Sequence, residues 1–172
     1  AEIPVIVTHQ KFRSTFKFPI LKELGLVDAS ESNQLFLKLE IWNGAEMSPR
    51  AVTEVVPIFK HNKSVLVRTF DLPTLMATKV NAVLHRKWEK TDKTGKVVIS
   101  VKGRDYYDLM WYLGKGIRPN LACVNGIRTM DELRDKLLTL VDTVDEKSIR
   151  LDIEPLLRDG SLAERVGKNI KD

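Results

Sequence analysis

The most regular stretch of the chain follows Asp71, where Leu72, Leu75, Met76, Val80, Val83 and Leu84 recur with the spacing of a single helical face. Asp71 is placed to cap that helix, and Pro73 falls in its first turn, where its missing N–H would be unpaired in any case. Lys79 lies inside the apolar stripe. A lysine in that position must snorkel to water, pair with a carboxylate or meet an anion in a cleft. Arg86, seven residues on, lies along a similar face.

A second helix is predicted to open at Gly103-Arg104-Asp105 and to stop at Gly114 and Gly116, with Tyr106, Leu109, Met110 and Leu113 apolar. Asp105, Asp108 and Tyr112 line its adjoining edge. Both aspartates fall in the first turn, where the helix dipole favours negative charge, so their presence has a purely structural explanation as well as a chemical one. Thr129 and Glu132 have capping-box spacing and open a third helix through Leu133, Leu137, Val141 and Val144. Ser148 to Leu157 and Ser161 to Ile170 also predict helix, broken at Pro155 and Gly160.

Towards the N-terminus the period falls to two. Ile3 to Thr8 is rich in β-formers, and Leu35 to Trp42 alternates strictly. Leu35, Leu37, Leu39 and Ile41 take one face of that strand, expected to be core, and Phe36, Lys38, Glu40 and Trp42 the other. Val55 to Phe59 and Val65 to Phe70 predict an antiparallel hairpin with the polar tip His61-Asn62-Lys63-Ser64, which leaves His61 on the surface. Thr15 to Leu24, closed by Gly25, is expected to be a loop entering a short helix, and Asp28 to Asn33 a loop. Val97 to Val101, after the turn-rich Thr91 to Lys96, fits a strand or an extended loop. The resulting class is α+β, with a sheet domain over residues 1–70 and a mainly helical domain over 71–172.

Composition narrows the function. A chain of 172 residues buries one core, and a lone cysteine, Cys123, allows no internal disulfide. It points to a reducing cytoplasm and fits a small buried apolar residue better than a nucleophile. No apolar run is long enough to cross a bilayer and no export signal is present. A formal charge of +5 mildly favours a phosphate-bearing partner, although plain solubility explains it as well. The start, Ala1-Glu2-Ile3-Pro4, has no initiator methionine and fits a processed or engineered fragment. His9, His61 and His85 lie in unrelated segments and support no zinc site, and the chain holds no phosphate-cradling loop or nucleophile elbow.

What remains is an ordered set: Glu40 on the strand Leu37-Lys38-Leu39-Glu40-Ile41, Lys79 in Met76-Ala77-Thr78-Lys79-Val80-Asn81-Ala82-Val83-Leu84-His85-Arg86, and the segment Lys102-Gly103-Arg104-Asp105-Tyr106-Tyr107-Asp108-Leu109. In that order, from about Leu35 to Leu113, it resembles the C-terminal two-thirds of the AbiEii/AbiGii-type nucleotidyltransferases, toxins of abortive-infection, type IV toxin–antitoxin systems in bacteria. Their pattern is a leucine-rich helix with an internal lysine ending near an arginine, then a loop and an Arg-Asp-x-x-Asp-Leu helix.

The resemblance implies a polymerase-β-like nucleotidyltransferase, a mixed sheet with helices followed by a helical region, moving a nucleotide from a nucleoside triphosphate to an RNA or protein acceptor. It implies Mg2+ as cofactor and an antitoxin protein as partner. By position Glu40 would be a metal ligand, the third carboxylate of the metal cluster. Lys79 would meet the triphosphate with Arg86 and Arg104, and Asp105 and Asp108 would orient Lys79 or assist proton removal.

The same residues admit quieter roles: Glu40 in an exposed pair with Lys38, Lys79 snorkelling or salt-bridged, and Asp108 as an i to i+4 partner of Arg104. The family's Gly-Ser element and Asp-x-Asp pair have no match before Glu40, and the near match Asp152-Ile153-Glu154 lies far downstream. One carboxylate cannot hold two divalent ions against their hydration. By itself the chain is therefore expected to be an inactive fragment, and the alternative is a non-catalytic RNA- or protein-binding module using Lys79, Arg86 and Arg104.

Overall fold

The computed structural model describes residues 5–8, 11–42, 48–157 and 160–171; Ile3, Pro4 and His9 lie outside them. The chain divides into two compact units, Ala1–Met47 and Ser48–Asp172. The class is α+β, and every pairing among the described strands is antiparallel.

The first unit is a sheet of β1 (Val5–Thr8), β2 (Lys11–Pro19) and β3 (Gln34–Trp42), in that order. The short helix expected between Thr15 and Leu24 is not there. Residues up to Pro19 belong to β2, in register with Gln34 to Trp42, and Leu21 to Gly25 form a turn. The period-two order of Phe12, Phe16 and Phe18 is the strand pattern that prevailed over the glycine stop. Gly25, at φ +64, closes that turn rather than a helix. On β3 the face expected to be core is open: Leu35, Leu37, Leu39 and Ile41 are 42% to 57% exposed.

The second unit begins with the predicted hairpin, β4 (Thr53–Lys60) and β5 (Lys63–Phe70). Its tip is tighter than expected, because Lys60 pairs with Lys63 and only His61 and Asn62 turn, at φ 51 and 56. Two successive left-handed residues match the twist of the flanking strands. Asp71 accepts from the Thr74 N–H at 2.9 Å and caps α1 (Leu72–His85). Met76, Val80 and Val83 of the stripe are buried, with Ala77 beside them, whereas Leu72 in the first turn is exposed.

The short ribbon of β6 (Lys90–Thr91) and β7 (Val97–Ile99) leads into α2 (Gly103–Gly114). Then come α3 (Met130–Thr143), α4 (Glu146–Ile153) and α5 (Gly160–Lys168), with 3-10 turns at Leu121–Cys123, Glu154–Leu156 and Asn169–Lys171. Met76 and Val80 of α1, Tyr106 and Leu109 of α2, and Ile149 and Ile153 of α4 share one core. Full burial of a side chain of this size contributes about 1.5–3 kcal/mol.

The approach of α2 to α4 requires Gly103. A Cβ there would stand 2.5 Å from the Ile149 carbonyl oxygen. The same approach puts Asp152 of α4 at the N-terminus of α2, whose own cap, Lys102, supplies no side-chain acceptor. Asp152 Oδ2 accepts from the Arg104 N–H at 3.3 Å, so a neighbouring helix caps α2 in place of its own cap residue.

Candidate functional site

Helix α1 carries Lys79 and ends at Arg86, and α2 carries Asp105 and Asp108 one turn apart. A separation of seven on α1 sets its two cations along one face, and a separation of three on α2 does the same for its two acids. Lys79 Nζ lies 2.6 Å from Asp108 Oδ2 and 3.6 Å from Asp105 Oδ1. Arg86 Nη1 donates to Asp105 Oδ2. Asp105, 3% exposed, is thus a buried acid between two cations of the neighbouring helix. Its burial depends on those partners, because an unpaired carboxylate out of water is strongly disfavoured.

Arg104 is not the partner of Asp108. Its Nε lies 3.6 Å from Asp152 Oδ2, and Lys90 Nζ lies 3.5 Å from Asp152 Oδ1. Of the quieter roles, the i to i+4 pair is therefore absent, and Lys79 is salt-bridged rather than merely snorkelling.

Where α1 and α2 meet, a small cleft is lined by Arg86, Trp88, Val101, Lys102, Asp105 and Tyr106. Burial lowers the pKa of Lys102, and the positive charges of Arg86, Arg104 and Lys79 lower it further, against the opposite pull of Asp105. Burial raises the Tyr106 hydroxyl, and the negative charge of Asp105 adds to that. Tyr112 is raised by burial and then by Asp108. With Asp152, the partner of Arg104, counted, Lys79, Arg86, Lys102 and Arg104 still outnumber Asp105, Asp108 and Asp152 by one, and Lys102 is the cation left over for an anion.

Glu40 belongs to the first unit. Its Oε1 lies 3.0 Å from Lys38 Nζ and 2.7 Å from Arg13 Nη2, across from it on β2. The Lys38 hydrogen bond is the main reason its pKa lies below the ordinary glutamate value. The pair expected between Glu40 and Lys38 is formed, with Arg13 as a third member that the sequence did not suggest.

Magnesium needs a nearly octahedral shell of oxygen ligands. Among the described residues no group of three or more Asp, Glu, His or Cys side chains is gathered to provide one. The acids of the α1–α2 corner are held by Lys79 and Arg86 instead. The donor set implied for Mg2+ is not assembled by these residues.

Two residues went unassigned in the sequence. Asp152, 4% exposed, has no role in the sequence beyond the near match Asp152-Ile153-Glu154, although it falls in the apolar spacing Ile149, Asp152, Ile153 of α4. Lys102 stands one residue before Gly103-Arg104-Asp105 with nothing in its type to separate it from a surface lysine.

Compared with known proteins, residues 4–168 match the family described as nucleotidyl transferase AbiEii toxin, type IV TA system. No curated protein and no solved structure matches the chain. No helix among the described residues is long and apolar enough to cross a membrane.

Proposed function

The chain belongs to the AbiEii nucleotidyl transferase toxin family of type IV toxin–antitoxin systems, and from that premise we propose that its second unit holds the polyphosphate of a nucleoside triphosphate. The observation that carries this is Lys79, a lysine in an apolar helical stripe whose ammonium is fixed by Asp108 beside the buried Asp105. A point charge oriented in this way, with Arg86 on the same buried acid and Arg104 as the further cation proposed for the phosphates, suits a triphosphate.

Asp105 positions Lys79 and Arg86 together. Asp108, the more exposed of the two acids, is the one able to let go of Lys79 and assist removal of a proton from an acceptor hydroxyl. Glu40 would be the metal carboxylate by position in the family pattern, although in this chain Lys38 and Arg13 hold it. Mg2+ is expected with the Gly-Ser and Asp-x-Asp element, and without a match to that element the chain by itself binds nucleotide but does not transfer it. The acceptor is RNA or protein, and the family implies an antitoxin protein as partner.

The test measures ATP binding by calorimetry and, separately, transfer of radiolabel from each nucleoside triphosphate to RNA and protein. We expect binding that Lys79→Gln weakens about tenfold, the weight of one charge-assisted contact, and no transfer. Label appearing on an acceptor would refute the inactivity. Binding unaffected by Lys79→Gln would refute the site. ATP or RNA binding that improves on Asp108→Asn would favour the non-catalytic binding module.

A further inference from the structure

We propose that Lys102, with Arg86, forms a second phosphate contact at the mouth of the α1–α2 cleft, for a phosphate group other than the one held by Lys79. This rests on the nucleotide-binding reading of the same corner and adds to it a residue to which neither the family pattern nor the ion pairs assign a role.

Lys102 is half-buried and lines the cleft together with Arg86 and Trp88. No carboxylate among the described residues lies within ion-pair distance of its ammonium, in contrast to Lys79, Arg86 and Arg104. The acid that acts on it, Asp105, is already shared by Arg86 and Lys79. A lysine that merely snorkels moves its charge into water and away from like charge. This one stays partly out of water with three cations around it, and its lowered proton affinity is the consequence. An anion at the mouth would relieve that repulsion.

Size fixes the position. The cleft has room for about 20 Å³, that of a single water, so a phosphate would sit at its mouth, within reach of the flexible Lys102 and the partly exposed Arg86. Trp88 lines the same cleft and has Lys90 over its ring at 5.4 Å, so the approach combines cations with an aromatic surface. That chemistry suits either the triphosphate of a nucleotide or the phosphodiester of a single strand.

The experiment uses the full chain and three probes: sodium tripolyphosphate, ATP and a short single-stranded oligoribonucleotide. Lys102→Gln should weaken at least one of them about tenfold, with Lys102→Arg recovering most of the loss. Equal losses for tripolyphosphate and ATP identify the nucleotide as source, and a loss confined to the oligoribonucleotide identifies RNA. Lys79→Gln is the control. If it weakens binding while Lys102→Gln does not, the second contact is wrong and the nucleotide site stands; if neither variant changes binding, both fall.

Should Lys102→Gln fail to melt cooperatively, the unaltered chain decides by lysine acylation and mass spectrometry. Protection of Lys102 by tripolyphosphate or the oligoribonucleotide, against unchanged labelling of the exposed Lys63, upholds the contact. Equal labelling of Lys102 with and without both probes overturns it.

Discussion

The ammonium of Lys79 stands 2.6 Å from Oδ2 of Asp108, in a pair that joins two helices while its side chains keep exposures of 34% and 38%. Such a pair contributes little to folding, because water screens it and the long lysine side chain loses freedom to make it. Asp108→Ala is therefore expected to change unfolding free energy by no more than about 1 kcal/mol, read by urea titration. Its effect should fall instead on ATP affinity, because Lys79 loses the group that orients it. A large stability loss with unaltered ATP binding would reverse these roles.

Asp105 should behave in the opposite way. It is buried and shared between Lys79 and Arg86. Removing one member of a buried pair costs about 3–5 kcal/mol, and since both cations here can turn partly to water the lower end applies. Asp105→Ala should thus destabilise by about 3 kcal/mol, and Asp105→Asn, which keeps an acceptor for Arg86, by less. Urea titrations that rank Asp108→Ala above Asp105→Ala would contradict this order.

How far the sequence revealed this corner depends on what kind of information each residue carried. Lys79 was visible because it broke a helical expectation, as a charge in an apolar stripe, and Asp105 because it stands in the Arg-Asp-x-x-Asp-Leu pattern, although the helix dipole alone accounts for an acid there. Their meeting follows from α1 packing on α2, which brings Met76 and Val80 into one core with Tyr106 and Leu109. Asp152 could not be assigned in that way, because its partners Lys90 and Arg104 are 62 and 48 residues away. The strand at Lys11–Pro19 was missed for a local reason: Gly25 with φ +64 serves a helix stop and a plain turn equally well. The exposed face of β3 marks a further limit, since alternation shows which side chains share a face but not what covers it.

The contact of α2 with α4 provides a test of fold independent of charge. Gly103→Ala would bring a methyl group to 2.5 Å from the Ile149 carbonyl, a backbone atom that cannot swing aside. Overpacking of this kind costs about 1–3 kcal/mol, and Gly103→Ala should lower the melting temperature accordingly. Because Asp152 caps α2 across the same contact, amide exchange at Arg104 should rise in Gly103→Ala. An unchanged melting temperature would show that the helices separate without loss.

The N-terminus of α4 allows a prediction about pH. Asp145 accepts from the backbone N–H of Lys147 and of Ser148 at 3.1 Å and from the Ser148 hydroxyl at 2.7 Å. The hydroxyl bond from Ser148 is the largest of the effects that hold its pKa below 3.8. A carboxyl group with a depressed folded-state pKa adds stability that is fully present above the unfolded value and is lost as pH falls through the folded one. Stability should therefore decline on acidification below about pH 4, with Glu132 and Glu164, also lowered by their hydrogen bonds, contributing to the same limb. Asparagine caps a helix nearly as well as aspartate without titrating. Asp145→Asn should accordingly match the parent at neutral pH and fall less steeply in acid, whereas Asp145→Ala should lose about 1 kcal/mol at neutral pH. Urea midpoints taken across the acid range separate these cases, and a parallel acid limb in Asp145→Asn would show that this cap does not contribute to it.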